Sequence, residues 1–127
     1  MVPGSTFEFG QTKERILFFA KSSTTTLDHS QANVFATVNP TGYNGNITIN
    51  FNNVPNESGI MYNGSVLIYQ TNGNGAMTSV QVNGSTAYTK FNVDDLTPAE
   101  FANSYQVMFY LEGSQWKSFV MVTSFAN

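Results

Sequence analysis

The chain has no cysteine among its 127 residues, which excludes disulfide bonds and thiolate-bound metals. Histidine is nearly as scarce, because His29 is the only one. Charged side chains make up 10% of the residues, against about a quarter in an average protein. The net charge of −3, with five basic residues spread along the chain, disfavours a nucleic-acid partner. We therefore expect a polar surface built mainly from Asn, Thr, Ser and Gly.

Long apolar runs are absent as well. The longest, Ile16–Ala20, is far too short to cross a bilayer, so we expect no membrane partner. Residues 1–5 lack the basic and apolar segments of a signal peptide. A hydrophobic fraction of 41% is enough for one domain spanning residues 1–127, with residues 1–5 as a tail or linker. No unit repeats at a fixed period, which argues against a propeller or a solenoid.

Strand-like segments recur along the whole chain, separated by residues that favour turns. This spacing is typical of an all-β sandwich. Pairs such as Asn63-Gly64 and Asn83-Gly84 predict tight hairpin turns, and successive hairpins predict mostly antiparallel sheets. The predicted strands are Thr6–Phe9, Ile16–Lys21, Val34–Val38, Ile47–Phe51, Ser65–Tyr69, Thr78–Val82, Tyr88–Val93, Tyr105–Leu111 and Trp116–Phe125.

The segment from Lys90 to Asn127 is the most informative part of the chain. Thr97 suits a helix N-cap, Pro98 suits the first helical position, and Glu100 suits a capping box. These residues predict one short helical turn over residues 97–103, between two strands. The sequence therefore predicts an immunoglobulin-like, antiparallel β-sandwich of about seven to nine strands with one short helical turn.

Catalytic residues are hard to find. His29 lies between Asp28 and Ser30, which together resemble the residue types of a hydrolase triad. Sequence neighbours in an extended loop seldom converge on one point, so we interpret His29 as a solvent-exposed loop residue. We accordingly expect a protein that is not an enzyme and that uses no cofactor.

The one acidic cluster consists of Asp94, Asp95 and Glu100. Carboxylates at the start of a helical turn stabilise its exposed N–H groups, and capping is the favoured interpretation. A calcium site built from Asp94, Asp95 and loop carbonyls is the alternative, although no EF-hand pattern is present. The sequence thus predicts no metal site.

Aromatic side chains are the remaining candidates for function. Tyr43, Tyr62 and Trp116 are predicted to reach the surface, where they would stack on sugar rings or anchor a partner protein. Tyr43 has the best claim because it lies in an Asn- and Gly-rich loop. Phe18 and Phe19 are adjacent in a strand and must face opposite sides, so they are candidates for an interface.

Two resemblances concern the closing segment. Leu96–Phe101 followed by Tyr105–Gly113 resembles the last corner of an immunoglobulin-like fold, where a tyrosine hydrogen-bonds back to the turn. The final hairpin, ending in Ser118–Phe125, is similar to the N-terminal domain of baseplate upper proteins in phages of Gram-positive bacteria. This resemblance implies a non-catalytic virion module that assembles in several copies and carries host-binding parts. It transfers no functional residue to this chain.

The leading hypothesis is a structural, interaction-forming protein of a bacteriophage virion, in the tail, baseplate or capsid decoration. It would be made in the host cytoplasm, with itself and other virion proteins as partners. The alternative is an extracellular carbohydrate-binding or adhesin module that recognises cell-surface glycans through Tyr43, Tyr62 or Trp116.

Overall fold

The computed structural model describes residues 14–38, 43, 45–69, 75–93 and 101–126. Ten β-strands lie in these ranges, and they form two sheets that pack face to face. The prediction of an all-β sandwich is confirmed. The strands are β1 (Ile16–Phe19), β2 (Thr24–Asp28), β3 (Val34–Thr37), β4 (Ile47–Asn52), β5 (Tyr62–Tyr69), β6 (Met77–Val82), β7 (Ser85–Thr86), β8 (Tyr88–Phe91), β9 (Ala102–Glu112) and β10 (Gln115–Phe125).

The first six strands alternate between the two sheets. The six-stranded sheet has the order β1-β3-β5-β9-β10-β8, and the four-stranded sheet has the order β2-β4-β6-β7. Each connection from β1 to β6 therefore crosses to the other sheet, and strands that are neighbours within a sheet run parallel. The long β9–β10 hairpin then pairs antiparallel with β5 and completes the larger sheet.

The strand directions differ from the expectation. Three strand pairs are antiparallel, but five are parallel within the described ranges. An immunoglobulin sandwich has antiparallel sheets, so the coiled path of β1–β6 departs from that type. This coil forms although the sequence contains no repeat. The absence of a repeat was the reason to expect no solenoid-like path. Parallel hydrogen-bonded ladders and the apolar side chains between the sheets hold the coil together.

Local predictions have mixed outcomes. The turn at Asn83-Gly84 is confirmed, because φ is +50° and +82° at these two residues and the chain reverses between β6 and β7. β2 was missed because Leu27 is its only large apolar residue. Phe101 lies in a bend and residues 102–103 begin β9, so this part of the expected helical turn is not helical. Residues 97–100, the strand Thr6–Phe9 and the tail at residues 1–5 lie outside the described residues.

A cluster of aromatic rings joins the two sheets. Phe51 on β4 and Phe109 on β9 stack with centroids 4.8 Å apart and planes only 8° from parallel. Both side chains are fully buried, and Phe35 on β3 lies 6.2 Å from Phe51. Aliphatic side chains from both sheets surround these rings. The stack sets the spacing between the sheets at the centre of the core.

Gly64 makes room for this stack. It lies inside β5 rather than in the turn that Asn63-Gly64 predicts. A Cβ atom at this position would lie 2.7 Å from Cε1 and 2.8 Å from Cζ of Phe51, closer than van der Waals contact permits. Glycine is therefore required here by packing, not by a turn.

Tyr105 places a hydroxyl group in the core. Its side chain is fully buried, and the hydroxyl oxygen accepts hydrogen bonds from Met77 N (3.0 Å) and from Asn103 Nδ2 (3.1 Å). Met77 begins β6 in the opposite sheet, so this bond ties the sheets together. A tyrosine corner was expected to bond back to its own turn. Tyr105 bonds across the sandwich to Met77 and back to Asn103, at the end of the predicted turn. Residues 97–100 of that turn lie outside the described residues.

We predict that Gly64→Ala lowers the free energy of unfolding by about 1–3 kcal/mol, because the new methyl group collides with the Phe51 ring. Urea unfolding followed by the fluorescence of Trp116 measures this loss. In a Phe51→Leu background the same substitution should cost less, because the smaller side chain leaves space. Equal losses in the two backgrounds would contradict the packing account.

We also predict that Tyr105→Phe costs about 1–3 kcal/mol at neutral pH, since two buried donors lose their acceptor. Burial raises the pKa of Tyr105 above its ordinary value of 10.0, while the bonds from Met77 and Asn103 partly offset the rise. A raised pKa means that the neutral hydroxyl stabilises the fold below pH 10 and that this contribution is lost as the pH rises further. The unfolding free energy of Tyr105→Phe should therefore fall less steeply above pH 10 than that of the wild type. Parallel curves would rule this explanation out.

Candidate functional site

Trp116 does not provide an exposed binding platform. Its side chain is only 5% exposed, because it shares the inner face of β10 with Ser118 and Val120. Tyr62 on β5 is half-buried, and its ring centroid lies 6.4 Å from that of Trp116. The structure thus brings these two predicted site residues together, but it does so at the edge of the core. The prediction that Trp116 reaches the surface is wrong.

Tyr43 is also more enclosed than expected. It is half-buried and packs against the core cluster, and its hydroxyl donates a hydrogen bond to the carbonyl oxygen of Asn46 at 3.0 Å. The Tyr43 side chain therefore stabilises the segment that leads into β4. A binding role for Tyr43 stays a prediction.

His29 is not the fully exposed loop residue that was expected. It is half-buried, and its ring makes edge contacts with Phe51, Tyr62 and Phe109 at centroid distances of 5.9, 6.0 and 5.3 Å. Its Nε2 donates to the carbonyl oxygen of Asn63 at 2.8 Å. The imidazole thus covers one end of the aromatic cluster.

Ser30 and Asp28 bond to each other rather than to His29. Ser30 donates both its backbone N–H (3.0 Å) and its hydroxyl (2.6 Å) to Asp28 Oδ1, and these bonds hold the pKa of Asp28 below its ordinary value. This is the geometry of a capped turn. The three side chains do not form the hydrogen-bond relay of a hydrolase triad.

Phe18 and Phe19 face opposite sides of β1, as predicted. Phe19 packs against the core, whereas Phe18 is 66% exposed. The acidic residues Asp94, Asp95 and Glu100 lie outside the described residues. Within the described ranges, no three His, Asp or Glu side chains lie close enough to hold a metal ion together.

A candidate interaction surface lies on the outer face of the six-stranded sheet. Four apolar side chains form a ridge on its β8–β9–β10 side: Tyr88, Met108, Phe119 and Met121 are 53%, 41%, 39% and 57% exposed. Met108 and Phe119 are direct cross-strand partners. Tyr110, beside them, stacks on Phe119 with a centroid distance of 6.4 Å. The charged side chains Lys90, Lys117 and Glu112 lie at this edge of the sheet.

A groove lies on the same face, towards β1. Two adjoining cavities of about 360 and 220 Å³ share Leu67 and Phe125 as walls. Ile16 lines one cavity, and Tyr69 and Phe101 line the other, with their rings in edge contact at 5.2 Å. We call Ile16, Leu67, Tyr69, Phe101 and Phe125 the groove.

A polar strip lines one wall of the smaller cavity and borders the ridge. It consists of Ser65, Ser104 and Gln106, which lie side by side on β5 and β9. Ser65 donates to Gln106 Oε1 at 2.6 Å, and Gln106 Nε2 donates to Ser104 Oγ at 3.3 Å. The three side chains of the strip therefore satisfy part of their hydrogen-bonding capacity with one another.

Sequence reasoning missed this face, although a signal was present. β9 and β10 carry apolar residues at consecutive positions, such as Val107-Met108 and Val120-Met121. Because alternate residues point to opposite faces, such runs predict a strand with two apolar faces. The sequence prediction instead named Tyr43, Tyr62 and Trp116 as the surface residues.

A scan against protein-family models, a search of curated proteins and a search of solved structures each find no match to this chain. The resemblance to phage baseplate upper proteins therefore stays a prediction. In the part of the chain that the structure describes, no helix has the length and apolar character needed to span a bilayer.

We predict that, in a protein solution dilute enough for single chains to dominate, hydrogen peroxide oxidises Met121 and Met108 before Met77, because the last is fully buried in β6. Peptide mass spectrometry after short exposures gives the three rates. In denatured protein the rates should converge, which serves as the control. Oxidation of Met77 as fast as Met121 in the folded protein would show that the ridge is not the exposed face.

Proposed function

We propose that this protein is a non-catalytic structural module of a bacteriophage virion, in the tail, baseplate or capsid decoration. It works by binding protein surfaces, either other virion proteins or further copies of itself. The outer face of the six-stranded sheet is its main contact surface.

The observation that carries this proposal is the apolar character of that face. Ridge and groove together expose large side chains from β1, β8, β9 and β10, along with Phe101 just before β9. Soluble monomers rarely expose connected apolar patches of more than a few hundred Å² unless the patch has a partner. A sheet face that carries an exposed ridge beside a groove suits contact with another protein surface.

The virion assignment is supported by the sequence. The similarity of the closing hairpin to baseplate upper proteins implies a module that assembles in several copies. The low charge content leaves few desolvated ions when such surfaces associate, and desolvated ions are costly. Carbohydrate binding through Tyr43, Tyr62 or Trp116 is the weaker alternative, because the Trp116 indole is buried and Tyr43 and Tyr62 are half-buried.

Labelling of purified particles tests the proposal. Phage particles from the strain that carries the gene are banded by density gradient, analysed by mass spectrometry and labelled with gold-conjugated antibody against the protein. We expect the protein in the particle band, in several copies per particle and at one location on it. Antibody against an unrelated cytoplasmic protein of the same host is the control. Recovery only in the soluble fraction of the lysate would contradict a virion role.

A further inference from the structure

We propose that two copies of the chain associate through the outer faces of their six-stranded sheets, with the ridge of each copy seated in the groove of the other. This inference rests on the proposed assembly role and names its partner as a second copy. The interface is isologous, since the same face contributes from both copies.

The arrangement of the face supports this pairing. Tyr69 and Phe125 of the groove lie in one cross-strand row, and Met108 and Phe119 of the ridge lie in another. The polar strip of Ser65, Ser104 and Gln106 lies between these two rows. A two-fold axis can run along this strip in the plane of the interface. It then places each point on one side of the strip in the first copy against a point on the other side of the strip in the second copy. The ridge of one copy then meets the groove of the other, twice per dimer. A single surface thus carries both halves of a complementary contact.

The available area is sufficient. Eight large apolar side chains of the face are between 39% and 66% exposed: Ile16, Phe18, Tyr88, Phe101, Met108, Phe119, Met121 and Phe125. Side chains of this size present about 200 Å² each when fully exposed, so together they offer roughly 800 Å² per copy. That equals the area which each partner buries in a standard stable interface, about 800 Å².

The shapes and polarity also agree. Cavities of about 360 and 220 Å³ can receive the ends of flexible side chains, and the ridge offers Met108 and Met121. Methionine adapts to irregular apolar sites because its side chain is unbranched. Ser65, Gln106 and Ser104 are linked by hydrogen bonds within each copy, which lowers the cost of burying them at the axis.

The test uses two charge substitutions on opposite sides of the strip. Met121→Glu places a carboxylate on the ridge, and Phe125→Lys places an ammonium in the groove. Either change alone would bury an unpaired charge at both contacts of a homodimer, so we expect its dissociation constant to rise at least about a hundredfold. An equimolar mixture should form a heterodimer again, because one contact then pairs Glu with Lys and the other contact is wild-type.

Sedimentation equilibrium over a concentration series measures these states, and circular dichroism checks that each variant is folded. Thr24→Glu, which adds the same charge at an exposed position of the four-stranded sheet, is the matched control and should dimerise like the wild type. If either variant does not fold, the reversed pair Met121→Lys and Phe125→Glu replaces it.

Three results would overturn the inference: a wild type that stays monomeric at high concentration, a Met121→Glu variant that dimerises like the wild type, or a mixture that stays monomeric. A monomeric wild type that is nevertheless found in particles would refute the dimer but leave the virion role intact. A dimer that is absent from particles would support the interface but refute the virion role.

Discussion

The contact between Phe51 and Phe109 is the constraint on which the rest of the structure depends. Two parallel rings at 4.8 Å fix the distance between the sheets, and Gly64 supplies the space that the Phe51 ring occupies. Because side chains alternate along a strand, an inward Phe109 forces Met108 and Tyr110 outward. The same alternation on β10 places Val120 inside and Phe119 and Met121 outside. The core stack thereby determines which side chains are offered to a partner.

The hydrogen bonds of Tyr105 complement this stack at another point of the core. Its hydroxyl bonds Met77 in one sheet and Asn103 in its own, so the buried polar groups are paired. His29 covers the cluster from the side, with its Nε2 bonded to Asn63. The polar groups near the core thus serve the fold, which leaves the outer face of the larger sheet as the candidate for interaction.

Much of the fold was predictable from the sequence, but its topology was not. Strands such as Ile47–Asn52 and the turn at Asn83-Gly84 follow from alternation and turn chemistry, which are local signals. The parallel coil of β1–β6 arises from packing between residues far apart in the chain. Gly64 shows the difference: a glycine after an asparagine predicts a turn, yet here it is required by a distant Phe51 ring. For the site, the sequence predicted that Phe18 and Phe19 separate. It did not predict that Trp116 faces inward. Both faces of β10 carry apolar residues, so alternation alone does not tell which face packs against the core.

If two copies of this protein meet through the outer faces of their six-stranded sheets, the ridge becomes buried as the protein concentration rises. The most direct measurement is a methyl NMR spectrum of protein labelled with ¹³C at the methionine methyl groups, recorded over a concentration series. We expect the resonances of Met108 and Met121 to move as the concentration rises, while that of the buried Met77 stays fixed. Resonances of Met108 and Met121 that do not move at any concentration would contradict this interface.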